Sequence, residues 1–139
     1  MPLLPVCLFA AVSLAASGCS AAGPTREEQA TIAVHELCES LGDLRAHTGE
    51  LADLDGTRAG VLDVRDFRQD ISDDLHNVRE EARTVRHPTA ALANAFDSLS
   101  RAVDILPGDA TGARATEQIM PQLQALDRAV AASQASVKC

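Results

Sequence analysis

From Thr25 onward the apolar side chains recur at alternating steps of four and three residues. Ala30, Val34, Leu37, Leu41 and Leu44, with Thr48 and Leu51 in phase, make the first stripe. This spacing puts them on one face of a helix and marks the seam of a bundle. Thr25-x-x-Glu28 at its head reads as a capping box, and Glu27 and Glu28 suit the positive end of the helix dipole. Gly42 and Gly49 weaken the second half of the helix, and Asp53-Leu54-Asp55-Gly56 closes it as a turn. A second stripe, Val64, Phe67, Ile71, Leu75, Val78, Ala82 and Val85, predicts a helix over about 58–86 with a densely charged outer face. His87-Pro88 stops it, because a residue before proline disfavours the α region. Leu92, Phe96, Leu99, Val103 and Leu106 predict a third helix, from Pro88 or Thr89 to Pro107-Gly108-Asp109. Ile119, Leu123, Leu126, Val130 and Val137, with Ser133 in phase, predict a fourth, from about Thr111 to Val137. Pro121 falls inside it and either kinks the helix or starts it afresh; a kink is the expectation. No run of β-branched and aromatic residues alternates long enough for a strand. The fold class expected is all-α: an antiparallel up-down four-helix bundle over 25–139.

The chain before Thr25 has a different character. Val6 to Ala16 is an apolar stretch, too short to span a bilayer, which takes about 20 residues. It fits the apolar region of a secretory signal and ends in Ala16-Ser17-Gly18-Cys19. That ending resembles a bacterial lipobox, in which the cysteine thiol takes a diacylglyceryl group and becomes the first residue of the mature protein. The expected organisation is a lipoprotein signal peptide over 1–18, lipid attachment at Cys19 and a tether over 19–24. The expected place is the extracytoplasmic face of the cell membrane, held there by acyl chains. Met1 to Pro5 carries none of the Lys or Arg usual at the head of a signal, which leaves room for a start upstream of Met1. An ordinary signal cut after Ala22, giving a freely secreted protein, is the alternative.

Composition narrows the function classes. Residues 1–18 hold no charge, so the whole net charge of −8 sits on the mature part. Such a chain repels nucleic acid and anionic headgroups, and no basic patch in the sequence reverses that. Phe67 and Phe96 are the only aromatic side chains after Cys19. Sites that stack bases or bind quaternary amines use aromatic faces, and the same scarcity counts against sugars. Of the four cysteines, Cys7 leaves with the signal and Cys19 is the lipid site. Outside the cytoplasm the remaining two, Cys38 and Cys139, are most simply one disulfide, with two free thiols as the alternative. Cys38 lies about 20 Å along the first helix. In an up-down bundle the fourth helix must then end near mid-height, or fold its end back, for Cys139 to reach it.

Motifs of chemistry are weak. Asp73, His76 and Glu80 share a face of the second helix at i, i+3 and i+7 and are the best metal candidates. The chain has no Glu-x-x-His of the di-iron bundles, so a solvated charged face accounts for them better. His35-x-x-Cys38 has ligand spacing but needs a free thiolate. Asp53-x-Asp55-Gly56 imitates a calcium loop, whose first and twelfth positions would be Leu51 and Leu62. No Gly-x-Ser-x-Gly, His-Glu-x-x-His or phosphate loop is present. His47 and His87 fall near helix ends, where a capping or solvated histidine is common. Gly42 and Pro121 could open a groove between helices for an apolar ligand.

Ser17-Gly18-Cys19, Cys38-Glu39-Ser40-Leu41 and Val137-Lys138-Cys139, with Ala/Leu/Asp-rich helices between them, give the chain an outline. It resembles the small secreted or lipid-anchored helical proteins of actinobacteria. The resemblance covers the whole chain through layout and composition, and implies a helical bundle with an N-to-C-terminal disulfide. It implies no activity. The expectation is a non-enzymatic, membrane-tethered domain with a structural or protein-interaction role in the envelope. It would use no cofactor, and its partners would be the membrane through Cys19 and an envelope protein. The alternative is an extracytoplasmic module binding a small ligand, lipid or metal.

Overall fold

The computed structural model describes residues 23–54 and 59–139. The leader, Cys19, most of the tether, and Asp55 and Gly56 of the first turn lie outside them. Four helices follow one another: α1 (Arg26–Ala52), α2 (Val61–Val85), α3 (Ala90–Asp104) and α4 (Gly112–Val137). Each packs on its neighbours in sequence and α4 closes back on α1, while α1 and α3 stand diagonally apart. His47 of α1 meets Asp74 of α2, Arg68 of α2 meets Asp104 at the end of α3, and Cys38 of α1 meets Cys139 beyond α4. The result is an all-α, four-helix bundle.

The four stripes converge on one core. Leu37, Leu41, Leu44 and Leu51 of α1 are fully buried, with Val64, Ile71 and Val78 of α2, Leu92, Leu99 and Val103 of α3, and Ile119, Leu126 and Val130 of α4. Burying each such side chain contributes about 1.5–3 kcal/mol. The stripes depart from the periodic expectation at their edges. Ala33 is buried in place of Ala30, and Phe67, Val85, Phe96 and Val137 are only half-buried against the core. In α4 the buried face extends back through Ala115 and Thr116 to Gly112. α4 runs unbroken through Pro121, which faces solvent. There the missing proline N–H leaves only the exposed Glu117 carbonyl without its helical partner.

Local chemistry sets the helix ends. The α1 capping box is formed: Thr25 Oγ1 accepts from the Glu28 N–H (3.2 Å), and Glu28 Oε2 accepts from the Thr25 N–H (2.7 Å). The Thr25 N–H holds the Glu28 carboxyl below its usual range. α2 starts later than expected, at Val61, where Asp63 Oδ2 accepts from the Gly60 N–H at 2.6 Å. α2 and α4 both end on a left-handed residue, Arg86 (φ 58°) and Lys138 (φ 68°), instead of the usual glycine. In each the next N–H reaches back over the last turn: His87 to the Ala82 carbonyl (2.8 Å) and Cys139 to the Gln134 carbonyl (3.0 Å).

At the end of the bundle away from Thr25, the α1–α2 and α3–α4 connections touch. Gly60 and Thr111 form an isolated antiparallel bridge, and the Gly112 N–H donates to the Ala59 carbonyl at 2.8 Å. A Cβ on Gly112 would sit 2.8 Å from the Ala59 Cβ and 3.0 Å from its carbonyl oxygen, so this approach requires glycine. Gly42 and Gly49 have no such neighbours. Gly112→Ala should therefore lower the unfolding free energy by roughly 1–3 kcal/mol through overpacking. Gly49→Ala should raise it by about 0.5–1 kcal/mol, since alanine loses less backbone entropy in a helix. Urea denaturation of both variants checks the opposite signs.

Candidate functional site

Of the candidate site residues, the structure brings together the two cysteines. Cys38 and Cys139 form a disulfide with their Cα atoms 5.5 Å apart. α4 ends level with Cys38, so the mid-height ending is the one realised. The left-handed turn at Lys138 folds Cys139 back across the last turn of α4 and delivers it to α1. Cys38 is half-buried and Cys139 exposed.

Asp73, His76 and Glu80 are all exposed along α2. Asp73 accepts from Gln69 Nε2 at 3.0 Å, and Glu80 pairs with Arg83. Among the described residues no group of three or more His, Cys, Asp or Glu side chains could hold a metal ion. His35 is exposed, and the sulfur of Cys38 is held in the disulfide. No helix among the described residues is long and apolar enough to cross a membrane.

The structure adds a pair that no local motif announces. His47 Nδ1 lies 2.6 Å from Asp74 Oδ2, joining α1 to α2. A carboxylate only accepts, so Nδ1 carries the proton. Asp74 is well covered and His47 about one-third exposed. The hydrogen bond to Asp74 raises the imidazole pKa above its ordinary value; burial opposes this, and the charges of Asp74, Glu50 and Asp70 add to it. Sequence reasoning missed the pair because its members lie 27 residues apart on different helices.

A groove of about 280 Å³ opens between α1 and α4, lined by Thr48, Gly49, Ala52, Met120, Leu123 and Asp127 among others. Gly49, not Gly42, provides the opening. Across its edge Arg45 Nε donates to Asp127 Oδ1 (3.2 Å) and its Nη1 to Gln134 Oε1 (3.3 Å). Thr48 spends its hydroxyl within its own helix, on the Leu44 carbonyl at 2.7 Å. The groove therefore offers an apolar wall, edged by Gln124, Asp127 and Arg128. Comparison with protein families, with curated proteins and with solved structures finds no match to the chain.

Two outcomes follow. The disulfide closes a loop of 101 residues. Replacing both cysteines by serine should lower the unfolding free energy by roughly 2–5 kcal/mol, and the native protein should show no alkylatable thiol at either position. For His47 the folded pKa exceeds the unfolded one, so its stabilisation is full below the unfolded value of about 6.5. It is lost as pH rises through the folded value. Asp74→Asn should bring the His47 titration, followed by NMR, back toward about 6.5; an unmoved midpoint would show that Asp74 does not set it.

Proposed function

We propose that the protein is a non-enzymatic, membrane-tethered helical domain with a structural or protein-interaction role in the cell envelope. In this reading it is held at the extracytoplasmic face of the membrane through lipid on Cys19. The observation that supports it best is how the bundle divides its side chains. Aliphatic groups close the core, and most polar side chains among the described residues face outward. Asp63, Asp66, Asp70 and Asp73 illustrate this on α2: spaced by three and four, they form an exposed acidic stripe. Such a stripe suits a partner with a basic surface, because complementary charge speeds encounter and fixes register.

α1 begins only a few residues beyond Cys19, at Arg26. An anchor there would hold this end of the bundle next to the bilayer, with the acidic stripe on its flank. Two acyl chains make such an anchor stable where one is marginal. Cys19→Ala should move the protein from the membrane fraction to the soluble fraction of the envelope. Unchanged fractionation would refute the anchor. Lysines at Asp66 and Asp73 should abolish cross-linking of the protein to its envelope partner while leaving its anchoring intact.

A further inference from the structure

The two ends of the bundle are built differently, and among the described residues nothing closes the end where α1 begins. α4 stops at Val137, level with Cys38, whereas α1 runs on past it. A recess of two adjoining lobes lies between the first turns of α1 and the ends of α2 and α4. One lobe, of about 480 Å³, has Arg26 and Ala33 of α1 facing Val85 and Arg86. The other, of about 210 Å³, lies by the α2–α3 turn and includes His87 and Val137. Val34, Val85 and Arg86 line both. The larger lobe falls within the range of small-molecule sites, roughly 300–1,000 Å³.

Three observations point to what it would hold. First, the chain has 20 Asp and Glu against 12 Lys and Arg, yet no acidic residue lines either lobe, while Arg26, Arg86 and His87 do. Second, Arg26 is set against its helix dipole, and Arg86, whose charge suits the end of α2, holds a backbone conformation unusual for arginine. Its left-handed backbone (φ 58°, ψ 34°) is one that glycine adopts without penalty. Neither arginine forms an ion pair among the described residues. Third, Nε2 of His87 is buried with no hydrogen-bond partner, an arrangement native proteins seldom leave unanswered.

We infer that this recess binds a single-chain anionic amphiphile of the fatty-acid class. The alkyl chain would lie on the aliphatic wall of Ala33, Val34, Val85 and Val137. The carboxylate would meet Arg86 and Arg26, with His87 Nε2 as the further polar contact. Charge complementarity selects the anion, since Arg pairs well with carboxylate. The concave shape selects one molecule over a bilayer surface, which needs a protruding basic patch. The inference does not depend on lipid attachment at Cys19.

Arg86→Gly separates binding from folding, because glycine accepts the left-handed backbone while removing the guanidinium. The chain, purified with its disulfide closed, is titrated with oleate, with oleyl alcohol and with phosphatidylglycerol vesicles. Oleate should bind one to one and shift the NMR signals of Val34, Val85 and His87. Oleyl alcohol should bind more weakly. Arg86→Gly should raise the melting temperature yet weaken oleate binding about ten-fold, the loss expected for one charge-assisted hydrogen bond. The inference is overturned if oleate does not bind, or binds wild type and Arg86→Gly alike. Shifts confined to the Gly49–Met120 groove, or binding to vesicles alone, would overturn it as well.

Discussion

The bond between the last residue of the chain and a position less than halfway along α1 governs the register of the bundle. Helices in a bundle slide at little cost where their stripes repeat every seven residues, because one heptad offers nearly the same knobs as the next. Tying Cys139 to Cys38 removes that freedom for α1 and α4. It also fixes which residues of α1 have a neighbour. Those level with α4 become core, and those before Ala33 are exposed. The acidic surface cannot do this work. Exposed pairs such as Arg45–Asp127 contribute about 0–1 kcal/mol each, too little to hold one register against another.

The opposite end is fastened by close backbone approach. Gly112 lies against Ala59, and the hydrogen bond there joins the two connections that would otherwise move independently. Between the two fastenings the core is closed by aliphatic side chains of similar size. That composition fits a domain with almost no aromatic residues to fill larger gaps. Openings lie at the margins, among them one where Gly49 withholds a side chain and one where α4 ends before α1 does.

Periodicity made the helices and most of the core legible in the sequence, since burial on one face imposes the repeat directly. Leu37, Leu41 and Leu44, or Leu123, Leu126 and Val130, could be read with no knowledge of their neighbours. The repeat misled where its cause was missing. Ala30 is in phase with the stripe but faces the open recess at the end of α2 and stays exposed. Phe67 and Phe96 are in phase too, but sit at the margin of the core and keep part of their surface in solvent. His47 and Asp74 carry no local pattern, because their meeting depends on the offset between two helices. Gly112 falls at the start of the expected fourth helix with no pattern to mark it; only the approach of Ala59 gives it a role. The recess at Arg86 was equally hidden. A charged residue after a helix reads as a favourable partner for the dipole, and its left-handed backbone leaves no trace in the sequence.

The first two turns of α1 show how the chain compensates where tertiary contact is lacking. Isolated short helices are marginal in water, and Arg26 to Ile32 are exposed throughout, so packing does not hold them. Local bonds concentrate there instead: the reciprocal Thr25–Glu28 cap, Gln29 Nε2 on the Pro24 carbonyl, and Thr31 Oγ1 on the Glu27 carbonyl. A complete side-chain and backbone capping box thus falls where a helix would otherwise fray. These turns extend α1 by about 10 Å beyond its first core residue, Ala33. They form one wall of the recess whose other wall is the end of α2. Fraying them would remove Arg26 and Ala30 from that wall. Capping at Thr25 therefore matters more to the shape of the open end than to the stability of the core.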